Sequence, residues 1–171
     1  MPSEMSPRER VLTAMRSRKP DRVPKEWSFT PAVQEEFVRR TGHTDPAAFF
    51  GFERRTVDFR GPAQLPDFSP WYPEGWPEGT TFNEYGSGQP PAGFYHFTGR
   101  IYPLERAQTI EELAEFPWPD FTPAWRHKHL EQQVAELHAA EWFVAGGVGH
   151  IWETAWQMTR MEKLMRDMVL R

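Results

Sequence analysis

Capping residues and the spacing of apolar side chains predict where helices begin along this chain. Ser6-Pro7-Arg8-Glu9 combines an N-cap hydroxyl, a proline at the first helical position and a glutamate at the third, which is a capping box. We expect a helix from about Pro7 to Arg18, ended by the Lys19-Pro20 step. Its predicted buried residues are Val11, Leu12 and Met15.

The same signals recur downstream and alternate with strand-like runs. Thr30-Pro31 opens a second helix closed by Gly42, Thr109-Ile-Glu-Glu112 is a second capping box, and Thr122-Pro123 opens a longer helix to about Ala140. A final helix begins near Trp152 and is expected to bury Met161, Met165 and Met168. Strands are predicted at Arg22–Phe29, Arg54–Arg60 and Trp142–Gly147, with an inserted hairpin formed by Thr80–Gly86 and Phe94–Tyr102.

Strands that alternate with helices predict an α/β fold with a parallel sheet. About three βα units fit into the sequence, and 1–171 is read as one incomplete domain. A stretch rich in proline and aromatic residues at about 61–108 is read as an ordered insertion, because disorder goes with few aromatics. The last helix carries no glycine, asparagine or proline at its end, so we expect the chain to be truncated.

Composition excludes several classes of function. The net charge is −4 with both signs interspersed, which argues against a nucleic-acid partner. No run approaches the ~20 apolar residues of a membrane span, and the N-terminus lacks a signal-peptide apolar region, so we expect a cytoplasmic location without membrane contact. Cysteine is absent, and His127 and His129 are two apart on a helix, so no metal site is predicted within the chain.

Several motifs together resemble the uroporphyrinogen decarboxylase superfamily, which also contains corrinoid-dependent methyltransferases. The resemblance extends over nearly the whole chain but only over the first half of the family. The motifs are Pro7-Arg-Glu-Arg-Val-Leu12, Pro20-Asp-Arg-Val-Pro24, Tyr102-Pro-Leu-Glu105, Thr109-Ile-Glu-Glu-Leu113, Phe116-Pro-Trp-Pro-Asp120, Ala145-Gly-Gly-Val-Gly149, Trp152-Glu-Thr-Ala-Trp-Gln-Met158 and Met161-Glu-Lys-Leu-Met-Arg-Asp167.

The resemblance implies a TIM (β/α)8 barrel, of which this chain would be the N-terminal portion, with an active site at the C-terminal ends of the strands. Asp58, after the second strand, takes roughly the place of the family's key aspartate and is the predicted catalytic residue. Trp27 stands where decarboxylases have an arginine-containing segment that binds substrate carboxylates. Trp156 or Gln157 stands near the place of the family's tyrosine. Trp27, Trp156 and Gln157 are therefore predicted to bind substrate.

Three further residues are candidates from the pattern itself. Asp58 and Arg60 alternate with Val57 and Phe59, so Arg60 would lie on the same side of the strand end as Asp58 and face the same ligand, although a salt bridge to a loop is the alternative. His150 and Glu153 follow a glycine-rich turn and could lie beside an anion at a helix N-terminus, or His150 could simply cap that helix. The aromatic residues of the insertion could form a lid or be buried as core; they are Trp71, Tyr72, Trp76, Phe82 and Tyr85.

Three functions follow as hypotheses. The first is a decarboxylase-like protein acting on a tetrapyrrole or another bulky small molecule. The second is a corrinoid-dependent, zinc-assisted methyltransferase whose metal ligands lie beyond residue 171, with a corrinoid protein as partner or as a homodimer. The third is a non-catalytic fragment that needs a partner chain. The lost arginine segment favours a substrate other than uroporphyrinogen.

Overall fold

A computed structural model describes residues 4–92 and 99–170 of the chain. Within these ranges the fold is mixed α/β, with seven α-helices and four short strands. In chain order they are α1 (Pro7–Met15), α2 (Pro31–Thr41), α3 (Pro46–Phe50), β1 (Arg54–Val57), β2 (Thr81–Phe82), β3 (Gly88–Gln89), α4 (Ile110–Ala114), α5 (Ala124–Ala139), β4 (Phe143–Gly146), α6 (Ile151–Thr159) and α7 (Met161–Leu170). None of these helices is both long and apolar enough to cross a membrane.

The capping boxes predicted from sequence are confirmed. Ser6 Oγ accepts a hydrogen bond from the Glu9 N–H at 3.2 Å, and the Glu9 carboxylate accepts one from the Ser6 N–H at 3.0 Å. Thr109 and Glu112 form the same reciprocal pair at the start of α4. These caps satisfy N–H groups that the first helical turn leaves without partners, so the sequence alone predicts both helix starts.

The contacts between residues divide the chain into two compact units, which we call unit 1 (residues 4–60 and 124–147) and unit 2 (residues 61–92, 99–123 and 148–170). Unit 2 thus begins where the insertion was predicted to begin. The interpretation of residues 1–171 as a single incomplete domain with an insertion stays a prediction.

The parallel pairing expected of an α/β fold is present in unit 1. Strands β1 and β4 run parallel with Arg54 opposite Phe143 and Val57 opposite Gly146. The prediction for β1 was too long, because the strand ends at Val57 rather than Arg60. Within the described residues this sheet has two strands, so the expected three βα units are not all observed.

The strand predicted at Arg22–Phe29 is wrong, since this segment joins no sheet. Pro24 has no N–H, and the Lys25 N–H donates instead to the Glu53 carboxylate at 2.7 Å. The Arg22 N–H likewise donates to the Asp21 carboxylate at 2.8 Å, so three of the first four residues of this segment have no N–H left for a neighbouring strand.

A buried ionic network attaches α1 to the chain around Glu53. The Arg10 guanidinium, 2% exposed, donates two hydrogen bonds to Asp21 at 2.7 and 2.8 Å and one to Glu53 at 3.1 Å. Glu53, 1% exposed, also pairs with Arg22 at 2.5 Å. Arg10, Asp21 and Arg22 belong to the motifs that carry the family resemblance, and here they serve the packing of unit 1. By contrast Met15, which was predicted to be buried, is 69% exposed.

The insertion folds as part of unit 2. Strand β2 pairs antiparallel with β3, and Gly88 of β3 bridges to Ile101, so part of the predicted partner segment is in place. The rest of that segment, residues 93–98, lies outside the described residues. Gly86 has φ +67°, and a Cβ there would come within 2.8 Å of the Phe68 ring, so the turn requires glycine.

The single C-terminal helix expected from sequence is two helices, broken at Arg160. Arg160 has φ +74° and ψ 139°, a conformation that disfavours residues with a Cβ, and its side chain pairs with Glu105 at 2.8 Å and Glu162 at 3.2 Å. Met161, Met165 and Met168 of α7 are exposed, contrary to the prediction, whereas Met158 of α6 is buried.

Candidate functional site

The strongest candidate for a functional group is Asp58, which follows β1 in unit 1. Strands β1 and β4 end side by side, because Val57 pairs with Gly146. Oδ1 of Asp58 lies 2.8 Å from the point that a Cβ on Gly147 would occupy, so the carboxylate lies close to Gly147, and a larger residue at position 147 would displace it. An exposed carboxylate therefore stands at the C-terminal ends of two neighbouring parallel strands.

Helix α5 contributes a histidine to the same place. His129 Nε2 lies 3.2 Å from the Asp58 carbonyl oxygen. Since a carbonyl only accepts, Nε2 is the donor, and in the neutral ring Nδ1 is then the acceptor. Nδ1 is buried without a hydrogen-bond partner in the described part of the chain. The contact fixes the backbone at Asp58 and was not predicted, because it depends on how α5 lies against β1.

The structure does not support the reason for which Arg60 was predicted to bind a ligand. The period-two alternation that would place Asp58 and Arg60 on one side of a strand stops at Val57, where β1 ends. The Arg60 N–H donates to the Arg126 carbonyl at 3.0 Å, and the side chain is exposed. A role of Arg60 in binding stays a prediction without support from the strand geometry.

Trp27 belongs to an aromatic cluster of unit 1. Its ring lies 4.4 Å from that of Phe52, edge to face, and 5.3 Å from that of Phe50. The indole is nevertheless 45% exposed. Packing accounts for this position, and its predicted contact with substrate stays a prediction.

In unit 2, His150 and Glu153 begin helix α6. His150 is the N-cap residue of α6, as the helix-capping interpretation predicted, although its side chain makes no capping hydrogen bond. Glu153 is exposed in the first turn, near the positive end of the helix dipole. His150 lines a mainly apolar cavity of about 340 Å³. The other walls come from Tyr85, Leu104, Leu113, Trp118, Val148, Gly149, Ile151, Thr154, Ala155, Met158 and Thr159.

Trp156 and Gln157 lie beside an arginine that the sequence did not indicate. The guanidinium carbon of Arg100 stands 5.8 Å from the centre of the Trp156 ring, within the range of a cation–π contact. Gln157 and Arg100 line a second, polar cavity of about 280 Å³. Arg100 follows a glycine in a segment predicted as a hairpin strand, and nothing in the sequence distinguishes it from a surface arginine.

Four of the five aromatic residues considered for a lid belong to the core of unit 2, whereas Trp76 is 39% exposed. Phe68, Tyr72, Leu104, Phe116 and Met158 make the buried cluster of unit 2, and Trp71, Phe82 and Tyr85 pack against it. The Tyr72 hydroxyl donates to the Gly86 carbonyl at 2.6 Å. Burial raises the pKa of Tyr72 well above its ordinary value, partly offset by hydrogen bonding to the backbone.

No group of three or more metal-ligating side chains occurs within residues 4–92 and 99–170. A comparison of the chain with models of known protein families, with curated proteins and with solved structures finds no match.

Proposed function

We propose that this chain supplies the first βα units of a (β/α)8 barrel of the uroporphyrinogen decarboxylase type, with Asp58 as its catalytic carboxylate. One observation carries the proposal: the Asp58 side chain stands beside Gly147 at the C-terminal ends of parallel strands. Barrel enzymes place their reacting groups at that edge. The sequence motifs that resemble the superfamily support the same assignment.

The chemistry of a carboxylate suits this role. An ionised aspartate only accepts hydrogen bonds, and the pyrrole N–H groups of a tetrapyrrole are donors. A negative charge held in place can also stabilise positive charge that develops on a ring during a reaction. The bond from His129 holds the Asp58 backbone, and the carboxylate lies beside Gly147, at the ends of both strands.

The methyltransferase alternative shares the fold but needs zinc. The described residues of this chain do not fit a zinc site, and cysteine is absent from the sequence. The resemblance places the zinc ligands of that branch beyond residue 171, so methyl transfer is an outcome of the test and not part of the proposal.

The test is binding of uroporphyrin I, a stable oxidised tetrapyrrole, followed by quenching of tryptophan fluorescence. We expect saturable quenching, and we expect Asp58→Asn to weaken binding about tenfold or more, since a hydrogen bond to a charged group contributes about 1.5–3 kcal/mol. Glu35→Gln, which makes the same chemical change at an exposed position of α2, is the matched control and should bind normally.

Three outcomes would contradict the proposal. The first is the absence of saturable binding, and the second is equal affinity in the wild type and Asp58→Asn. The third is binding of cobalamin but not of uroporphyrin I in a parallel titration, which would favour the methyltransferase branch over the decarboxylase branch.

A further inference from the structure

Arg100 differs from the neighbouring arginines of unit 2 in its partners. Arg106 pairs with Glu74, and Arg160 pairs with Glu105 and Glu162. No carboxylate in residues 4–92 and 99–170 forms an ion pair with Arg100, although its side chain is partly buried. A positive charge withdrawn from water without a negative partner is unfavourable unless another group compensates it.

The guanidinium of Arg100 is held in place but has spare donors. One face lies over the Trp156 ring, and Nη1 donates to Ser87 Oγ at 3.4 Å, a long bond. A guanidinium carries five N–H groups in a planar fork that matches an oxyanion. In the described part of the chain Ser87 is the acceptor it reaches, so most of this fork is available to a ligand.

The cavity beside Arg100 is polar and built by fixed groups. Ser87 is 2% exposed, and its hydroxyl donates to the Gln157 carbonyl, which ties α6 to β3 beside Arg100. Asn83 Oδ1 accepts from the Tyr85 N–H at 3.0 Å and the Ser87 N–H at 3.1 Å. The Asn83 amide is thereby oriented, and its NH₂ group is left to donate.

The remaining walls supply both donors and acceptors. The cavity of about 280 Å³ is lined by Thr81, Phe82, Asn83, Ser87, Gln89, Arg100 and Gln157. Hydroxyl and amide side chains of this kind recognise hydroxyl groups, which also donate and accept. The volume is near the lower end of small-molecule sites, which start at about 300 Å³, and so suits a small metabolite.

We infer that unit 2 contains a binding site for a small polyhydroxylated molecule that carries an oxyanion, with Arg100 holding the anion and Asn83, Gln89 and Gln157 the hydroxyl groups. The oxyanion is a carboxylate, as in a sugar acid, or a phosphate ester, as in a sugar phosphate. This site involves residues of unit 2 alone and does not depend on the role proposed for Asp58.

The test follows the backbone N–H of Ser87 and the side-chain NH₂ of Gln89, which every variant keeps, by NMR in ¹⁵N-labelled protein while two matched pairs of compounds are added. In proteins that keep Arg100, its side-chain Nε–H is followed as well. Gluconate is compared with glucitol, and glucose 6-phosphate with glucose, at constant ionic strength so that screening of surface charge does not change. We expect a saturable shift with at least one anion and none with either neutral compound. The anion that binds more tightly shows whether the site prefers a carboxylate or a phosphate ester.

Three variants distinguish binding at this site from non-specific attraction of anions to surface charge. Arg100→Gln should weaken binding of the anion about tenfold or more. Arg100→Lys keeps the charge but not the planar fork, so we expect intermediate binding. Arg106→Gln removes an exposed arginine that already pairs with Glu74, and it should bind like the wild type. Dispersed amide spectra establish that each variant is folded. If Arg100→Gln does not fold, Arg100→Lys replaces it as the test variant.

The inference fails if the neutral compounds bind as well as the anions, or if a folded Arg100→Gln or Arg100→Lys variant keeps full affinity. It also fails if the shifts grow linearly without saturation and occur equally at Arg106, because that pattern is typical of non-specific screening. We expect saturable binding of a polyhydroxylated anion, with an affinity that Arg106→Gln does not lower.

Discussion

The two units stabilise their interiors with different chemistry. Beside the aromatic cluster of unit 1 lies a network of charged side chains, in which Arg10 and Glu53 are almost fully buried. The interior of unit 2 is the cluster around Phe68, Leu104 and Phe116, in which the two phenylalanine rings lie 5.9 Å apart. Its buried polar groups include the Tyr72 and Ser87 hydroxyls and Lys163, which pairs with Asp167 at the surface of the unit. One unit thus depends on ionised groups and the other chiefly on apolar burial.

This difference has consequences for stability. When a buried apolar side chain is replaced by a smaller one, the protein loses stability roughly in proportion to the volume removed, because neighbouring groups fill the space only partly. A buried ion pair behaves otherwise, because removal of one partner leaves the other charged and without compensation. Unit 1 should therefore be the more sensitive to single substitutions in its network and to pH, and the predictions below test that contrast.

The largest expected effect comes from Arg10→Ala. Glu53, 1% exposed, would keep Arg22 and the Lys25 N–H but lose its buried partner, and Asp21 would lose both of its hydrogen bonds from Arg10. We expect the free energy of unfolding to fall by about 3–5 kcal/mol. Urea titration measures the loss, and hydrogen exchange by mass spectrometry locates it.

The matched control is Arg39→Ala, which removes an exposed arginine paired with Glu36 on one helix and should leave stability unchanged within error. In Arg10→Ala, faster exchange should be confined to α1, β1 and β4 of unit 1. If the two variants are equally stable, or if exchange rises first in unit 2, the network does not stabilise unit 1 as described.

The next effect is the dependence of stability on acid. Hydrogen bonds from Arg10 hold the pKa of Asp21 well below its ordinary value, with further lowering by the Met5 and Arg22 N–H groups and partial opposition from desolvation. The ionised carboxylate thus stabilises the fold fully above its unfolded pKa, about 3.9, and this stabilisation is lost as the pH falls toward the folded pKa. Wild type and Asp21→Asn should differ in their urea midpoints at pH 7, and the difference should begin to shrink as the pH falls below about 4.

Tyr72→Phe provides the comparison in unit 2. It removes the hydroxyl that donates to Gly86 and no group that titrates in acid. This variant should be less stable at every pH between 7 and 3, by about 1 kcal/mol, and should keep the full acid-dependent loss of the wild type. A difference between wild type and Asp21→Asn that stays constant from pH 7 to 3 would contradict the account of unit 1.

Local chemistry explains which parts of the fold could be predicted. The capping boxes at Ser6 and Thr109 and the left-handed Gly42 that closes α2 depend on neighbours within four residues. The parallel pairing of β1 with β4 also follows from the order of the elements. Asp58 could be placed at the edge of the sheet for the same reason, since it immediately follows a strand.

Long-range contacts explain what the sequence did not reveal. Arg10 and Glu53 are 43 residues apart, and a local pattern treats both as exposed charges. The segment 22–29 looked like a strand because its residue types suit one, yet Glu53 takes the Lys25 N–H. Arg100 could not be identified as a binding residue, because its significance lies in the Trp156 ring and the Ser87 hydroxyl brought to it by folding.

The smallest expected effect concerns the helix break in unit 2, where one residue gives a test of backbone strain. Arg160 holds φ +74° between α6 and α7, a conformation that glycine adopts readily and alanine does not. Arg160→Gly and Arg160→Ala both remove the ion pairs with Glu105 and Glu162, so they differ only in the backbone. We expect the glycine variant to melt higher than the alanine variant by roughly 2–4 °C. If Arg160→Ala melts at the same temperature as Arg160→Gly or higher, residue 160 does not hold this strained conformation in solution, and the break between α6 and α7 is not a feature of unit 2.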